Sequence, residues 1–340
     1  MPTYRRQLKY HLSLDFSGIG NFMEIKNADF LLTFKCPSKC KHCSYKAGPE
    51  RKACMKLADA ERYLKELTDT QPLQSITAHG GEPFLCFTHL KRIMKRVKEL
   101  EVPRRWVITN GYWAKNEKIA RKKLIELKEA GLTCITFSVD SFHQEYISLE
   151  IVRNGIEVAT SVGFEKVCVD SYFLVGSNSH NCYDDLTKKA LESLEGLDKV
   201  EINKYRTGFE GRGAELAKYV EPKSKPPTGK CPLPFWIGGN LKSPETIEID
   251  FEGNVTLCPG ICIGNAKTRS LTEILQDYDC HAHPILSVIA KEGPIGLLRD
   301  ATSRGFKKRQ RFIDECHLCY EMRKFLMHYY PQHLAPADCY

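Results

Sequence analysis

The chain has no apolar run long enough to cross a bilayer. Its basic start, Met1 to Lys9, is not followed by an apolar h-region, which argues against a secretory signal. It carries no nucleic-acid motif and no interleaving of aromatic and basic residues of the kind that makes a stacking platform. It has no internal repeat, no low-complexity tract and no stretch resembling a separate leader-peptide recognition domain. These absences leave a cytoplasmic globular protein with no membrane or nucleic-acid partner as the expectation. Apolar residues at 42% and charged residues at 27% are ordinary, so a sizeable core is available. The formal net charge of +8 comes from Lys and Arg spread over helix-like faces such as 91–98 and 121–128. That pattern reads as solvated helix surface, with attraction of an acidic peptide as the alternative.

Cysteine is abundant, with 15 in 340 residues. A secreted disulfide scaffold would be smaller and would carry a signal. Clustered cysteines in a chain of this kind point to metal instead. The chain is organised around Cys36, Cys40 and Cys43, spaced C-x3-C-x2-C after the apolar run Phe30–Phe34. Three thiolates at the mouth of a sheet can hold a four-iron cluster with one iron left open. A zinc knuckle short of its fourth ligand is the alternative, with His42 nearby.

Strand-like runs recur at Phe30–Phe34, Ser75–Ala78, Trp106–Thr109, Cys134–Val139, Lys166–Leu174 and Lys199–Asn203. Helix-period segments lie between them: Lys56–Thr68, Thr88–Leu100, Glu117–Ala130, Gln144–Val162 and Asp184–Leu194. The alternation predicts an α/β fold, a partial (β/α)6 TIM-type barrel with its site at the strands' C-terminal ends. A Pro/Gly-rich linker at 222–229 then leads to a small cysteine-rich domain. That domain is expected to hold a β-hairpin (Thr246–Phe251, turn Glu252-Gly253-Asn254, Val255–Leu257) and helices. The predicted division is an N-terminal extension over 1–27 with a hairpin near Ser17–Gly20, a barrel over 28–220 and a C-terminal domain over 221–340.

With Gly80-Gly81-Glu82-Pro83 after the second strand, the chain resembles the radical S-adenosylmethionine (radical SAM) superfamily. The likeness covers residues 30 to 325. It implies a [4Fe-4S] cluster on Cys36, Cys40 and Cys43 with SAM exchangeable on its open iron. One electron would split SAM to methionine and a 5′-deoxyadenosyl radical, which abstracts a carbon-bound hydrogen. The implied cofactor-binding residues are His42, Gly80, Gly81, Glu82, Pro83, Asn110, Ser138, Asp140, Arg153 and Arg212. Several have plainer readings: an ordinary strand–helix turn for Gly80–Pro83, a turn or cap for Asn110, a helix cap for Asp140 or Ser138, a surface ion pair for Arg153 and a flexible turn for Gly211–Gly213.

Cys231, Cys258, Cys316 and Cys319 resemble the ligands of a SPASM/twitch-type domain, implying an auxiliary [4Fe-4S] cluster; a structural zinc site is the alternative. Cys262 is a second candidate ligand or an open-site thiol. Cys54, Cys86, Cys134, Cys168 and Cys182 read as small apolar core residues. Among peptide modifiers, the resemblance extends to epipeptide-type epimerases. Those carry a hydrogen-donating cysteine immediately after the position of Cys258, where this chain has Pro259. An acid of theirs is replaced by Phe235 or Trp236. Cys262 and Asp140 are therefore the catalytic candidates, and crosslinking or oxidation stands beside epimerisation. The resemblance implies a peptide or protein substrate and reduced flavodoxin or ferredoxin as electron donor. The alternatives are a small-molecule radical SAM enzyme, a cofactor maturase, or a non-catalytic zinc or iron–sulfur protein.

Overall fold

A computed structural model describes residues 23–232, 237–307 and 311–340. The extension's expected hairpin and the Phe235/Trp236 positions lie outside them. Six strands run parallel: β1 (Asn27–Thr33), β2 (Ser75–Gly80), β3 (Arg104–Thr109), β4 (Cys134–Ser138), β5 (Lys166–Phe173) and β6 (Val200–Arg206). The helices between them are α1 (Leu57–Thr70), α2 (Phe87–Glu99), α3 (Glu117–Glu129), α4 (Ser141–Gln144), α5 (Leu149–Val162) and α6 (Cys182–Glu192). Each lies within a few residues of its expected place. Period and caps explain why. α2 buries Leu90, Ile93, Met94 and Val97, one stripe of an amphipathic helix. α3 begins where the Asn116 side chain accepts from the Ile119 N–H. The one helix expected over Gln144–Val162 is two, because Asp140 starts α4 early and extended backbone at Ser148 restarts the chain as α5.

The expected hairpin is β7 (Thr246–Asp250) and β8 (Asn254–Cys258), and a third strand, β9 (Ile261–Asn265), follows it. β7 pairs in parallel with β1, so a single nine-stranded sheet runs β6-β5-β4-β3-β2-β1-β7-β8-β9 without closing. The C-terminal helices are α7 (Leu271–Gln276), α8 (Leu286–Glu292), α9 (Ile295–Ser303) and α10 (Glu315–Leu326). One contiguous apolar core joins the barrel strands to these helices. No described helix is long and apolar enough to cross a membrane.

Candidate active site: two cysteine sets on one cavity

β1 runs straight into the cysteine loop. The loop is tied by the Cys36 N–H to the Gly48 carbonyl (3.1 Å), the Gly48 N–H to the Phe34 carbonyl (3.0 Å) and the Cys43 N–H to the Cys40 carbonyl (3.2 Å). Cys36, Cys40 and Cys43 all line a cavity of about 570 Å³ at the C-terminal ends of the strands. Burial, with Glu82 nearby, pushes the Cys36 thiol up, and burial does the same to Cys43.

The Gly211-Arg212-Gly213 turn locks the loop from behind. Arg212 donates to the Cys40 carbonyl (3.0 Å) and the Ala47 carbonyl (2.5 Å). A Cβ on Gly211 (φ 58°) would lie 2.3 Å from the Ser44 carbonyl oxygen. These glycines admit the protein's own backbone, and Arg212, although it lines the cavity, spends its donors on the loop.

The Gly80–Pro83 turn divides in two. Gly80 and Gly81 line the cavity, and the Gly81 N–H donates to the Thr33 carbonyl (2.6 Å). A Cβ on Gly81 would meet the Lys35 carbonyl oxygen at 2.2 Å, so only glycine allows this approach to the cysteine loop. The Glu82 carboxylate, expected toward SAM, points the other way. It is fully buried and accepts from the Thr109 hydroxyl (2.9 and 3.0 Å), the Asn110 N–H (2.8 Å) and the Phe84 N–H (3.0 Å). Burial raises its pKa to about 7. Pro83 opens the 3₁₀ turn Pro83–Cys86, also off the cavity. Asn110 lines the cavity, and its Nδ2 donates to the Cys36 Sγ (3.4 Å).

Ser138, ending β4, reaches the cavity; Asp140 does not. Asp140 is the cap of α4, accepting from the Phe142 and His143 N–H groups at 3.0 Å each, and both its oxygens hold His143 Nδ1 (3.0 and 2.9 Å). His143 lines the cavity within hydrogen-bond reach of the Cys40 thiol. Burial opposes charge on that ring, but Asp140 and Cys40 hold its pKa well above the usual value. Asp140 therefore meets the cavity only through the His143 ring that it holds. His42 lines the cavity as well, among Phe142, His143 and Tyr172 (ring centroids 4.7, 4.8 and 5.2 Å). Burial lowers its pKa to about 4, and its Nδ1 is buried without a hydrogen-bond partner.

Arg153 is nowhere near this cavity. It sits on the outer face of α5, paired with Glu157 (2.9 Å) and the Ser193 carbonyl (2.6 Å). Cys262 also lies off it: 2% exposed on β9, its thiol donates to the Gly264 carbonyl (3.1 Å). Cys182 is exposed at the start of α6, and Cys54 and Cys86 are joined as a disulfide, so none of these three is a free core thiol; Cys134 and Cys168 are.

Cys231, Cys258, Cys316 and Cys319 line the same cavity as the first three cysteines. Burial raises the pKa of Cys258, Cys316 and Cys319. Sequence reasoning missed Arg323, one turn after Cys319 on α10, a spacing that puts both on one helix face. It is 2% exposed and donates to the Pro259 carbonyl (2.8 Å) and the Tyr340 hydroxyl (2.9 Å), while its Nε has no partner. Glu210 was missed too: it accepts from the Ser44 hydroxyl (3.0 Å), and burial raises its pKa. Seven buried or half-buried thiols in two sets, one cation beside the second and unpartnered polar atoms around the first fit two iron–sulfur clusters; closed, self-satisfied packing would not leave such a set.

The fold and the cysteine geometry define a class. Residues 30–190, a little under half of the chain, match the model of the radical SAM superfamily. Among curated relatives, the putative peptide biosynthesis protein YydG of Bacillus subtilis (strain 168) is 24% identical over 132 residues, 39% of this chain and 41% of that protein. A GTP 3′,8-cyclase of Vibrio parahaemolyticus is 32% identical over 161 residues, 44% of this chain and 46% of that enzyme. The chain thus spans less than half the length of either. The solved structure of anSMEcpe with bound AdoMet and Cp18Cys peptide superposes with a TM-score of 0.50 at 14% identity, covering 91% of this chain and 97% of that one; this is a likeness of fold.

Proposed function

We propose that the protein is a radical SAM enzyme that abstracts a hydrogen atom from a ribosomally made peptide or protein. The observation carrying this reading is the single cavity shared by the two cysteine sets. Cys36, Cys40 and Cys43 would hold a [4Fe-4S] cluster and leave SAM its open iron. Cys231, Cys258, Cys316 and Cys319 would hold an auxiliary one. When bound, the first cluster and SAM supply one-electron cleavage of SAM and hydrogen-atom abstraction.

The chain's own groups orient and enclose. Asn110 and His143 place polar hydrogens by the thiols of Cys36 and Cys40, and donors that touch a cluster's ligands tune the cluster. Ser138, Gly80 and Gly81 form the wall on which SAM would lie. Reduced flavodoxin or ferredoxin would supply the electron. A peptide substrate is supported by the name of the B. subtilis relative. Pro259 beside Cys258, and a Cys262 thiol turned away from the cavity, weigh against epimerisation by a thiol hydrogen donor and favour crosslinking or oxidation.

A second reading, a small-molecule radical enzyme, is favoured by the several relatives named GTP 3′,8-cyclase. The test is 5′-deoxyadenosine release by the reconstituted enzyme, with and without candidate precursor peptides encoded beside the gene. Release that rises with a peptide supports the first reading. Equal release without peptide, raised by a nucleotide, supports the second.

A further inference from the structure

The shared cavity has another polar wall, away from the thiols. Asp29, His79 and Glu248 line it, from the adjacent strands β1, β2 and β7. Asp29 is the register partner of Glu248, and His79 pairs with Leu31, two residues along β1. The pleat therefore brings all three side chains to one face. One donor atom from each lies within 4.8 Å of the others, with His79 Nε2 3.9 Å from Asp29 Oδ2.

No Lys or Arg pairs with either carboxylate among the described residues. His79 Nε2 is buried without a hydrogen-bond partner. Both carboxylates are held from behind: Glu248 accepts from the Tyr45 hydroxyl (2.6 Å) and the Thr256 hydroxyl (3.3 Å), and Asp29 from the Thr77 hydroxyl. A half-buried pair of carboxylates facing each other beside an imidazole nitrogen, with no Lys or Arg between them, is an arrangement that a cation would relieve. The other His/Asp group, His42, Asp140 and His143, differs: both Asp140 oxygens are already taken by protein donors.

We propose that Asp29, His79 and Glu248 form a site for a divalent transition-metal cation on the wall of the cavity. Mixed imidazole and carboxylate donors suit Mn²⁺, Fe²⁺ or Zn²⁺. Neighbouring donors on such an ion lie about 3.0–3.5 Å apart, so the three side chains would draw together by about 1 Å to hold it. Tyr45, Thr256 and Thr77 are the outer-shell partners that would fix the carboxylates. With three protein donors the ion keeps positions open toward the cavity, where a carbonyl or carboxylate oxygen of a substrate would bind.

The test uses the full chain with its iron–sulfur clusters loaded, so that the cysteine thiols are occupied. Mn²⁺ alone is titrated in, and the loss of the free-ion EPR signal is read. One Mn²⁺ per chain is expected, displaced by Zn²⁺, with affinity at least about tenfold weaker in His79→Ala and in Glu248→Gln. Cluster absorbance equal to wild type certifies that each variant is folded; should His79→Ala fail this, His79→Gln replaces it. Absence of binding up to roughly 1 mM, the weak end of protein metal sites, overturns the proposal, as does equal binding by the variants. The readout involves neither SAM cleavage nor peptide, so its failure leaves the proposed function standing.

Discussion

Asp140 and Arg153 bracket what single residues contribute here. Both were legible as polar groups near the barrel mouth, but sequence gives no direction to a side chain. Asp140 turns into the cap of α4 and grips His143; Arg153 turns outward to Glu157. Removing the buried partner of an ion pair strands its mate, so Asp140→Ala should cost about 3 kcal/mol in denaturant unfolding of the cluster-free protein. Arg153→Ala should change stability by no more than about 0.5 kcal/mol and leave SAM cleavage as it was. Asp250, the last residue of β7, gives a pH signature. Burial raises its carboxyl from 3.8 to about 6 even though Asn254 and Glu252 donate to it. The folded form thus binds this proton more tightly than the unfolded form. The contribution is complete below pH 3.8 and is lost as pH rises through 6. Unfolding temperature of the cluster-free protein should therefore carry a downward component between those limits that Asp250→Asn removes; an unchanged slope contradicts the assignment.

At the scale of elements, period and caps were readable and pairing was not. The six parallel strands and their helices follow from apolar runs alternating with 3.6-residue stripes. β9 escaped notice because Ile261–Asn265 is short and contains a glycine. The Gly80-Gly81 turn was legible as glycine-rich, but its purpose is set by the Thr33 and Lys35 carbonyls it touches, which come from the end of the neighbouring β1 and the cysteine loop after it. Gly81→Ala places a Cβ at 2.2 Å from backbone oxygen, and backbone cannot yield as a side-chain tip does. The variant should lose at least about 2 kcal/mol of stability and bind less iron at the first site after reconstitution. Iron content and Tm both at wild-type values would show that the turn has slack.

For the molecule as a whole, the division into barrel and C-terminal domain understates their union. β7 pairs with β1 across 219 positions of sequence, a contact no local pattern announces. One sheet and one cavity then serve both cysteine sets. A chain ended at residue 220 would bare the β1 edge and the apolar face of the sheet, so it should aggregate where the full chain stays in solution, as sedimentation after expression would reveal. The cysteine sets themselves were legible because ligand spacing is local; their convergence was not. The most direct test of the account is anaerobic iron and sulfide analysis paired with 5′-deoxyadenosine release, on the wild-type chain and on Cys40→Ala. About eight irons per chain are expected for wild type. The variant should keep the auxiliary cluster and release no 5′-deoxyadenosine. Zinc without visible absorbance in the wild type, or 5′-deoxyadenosine still formed by Cys40→Ala, would contradict it.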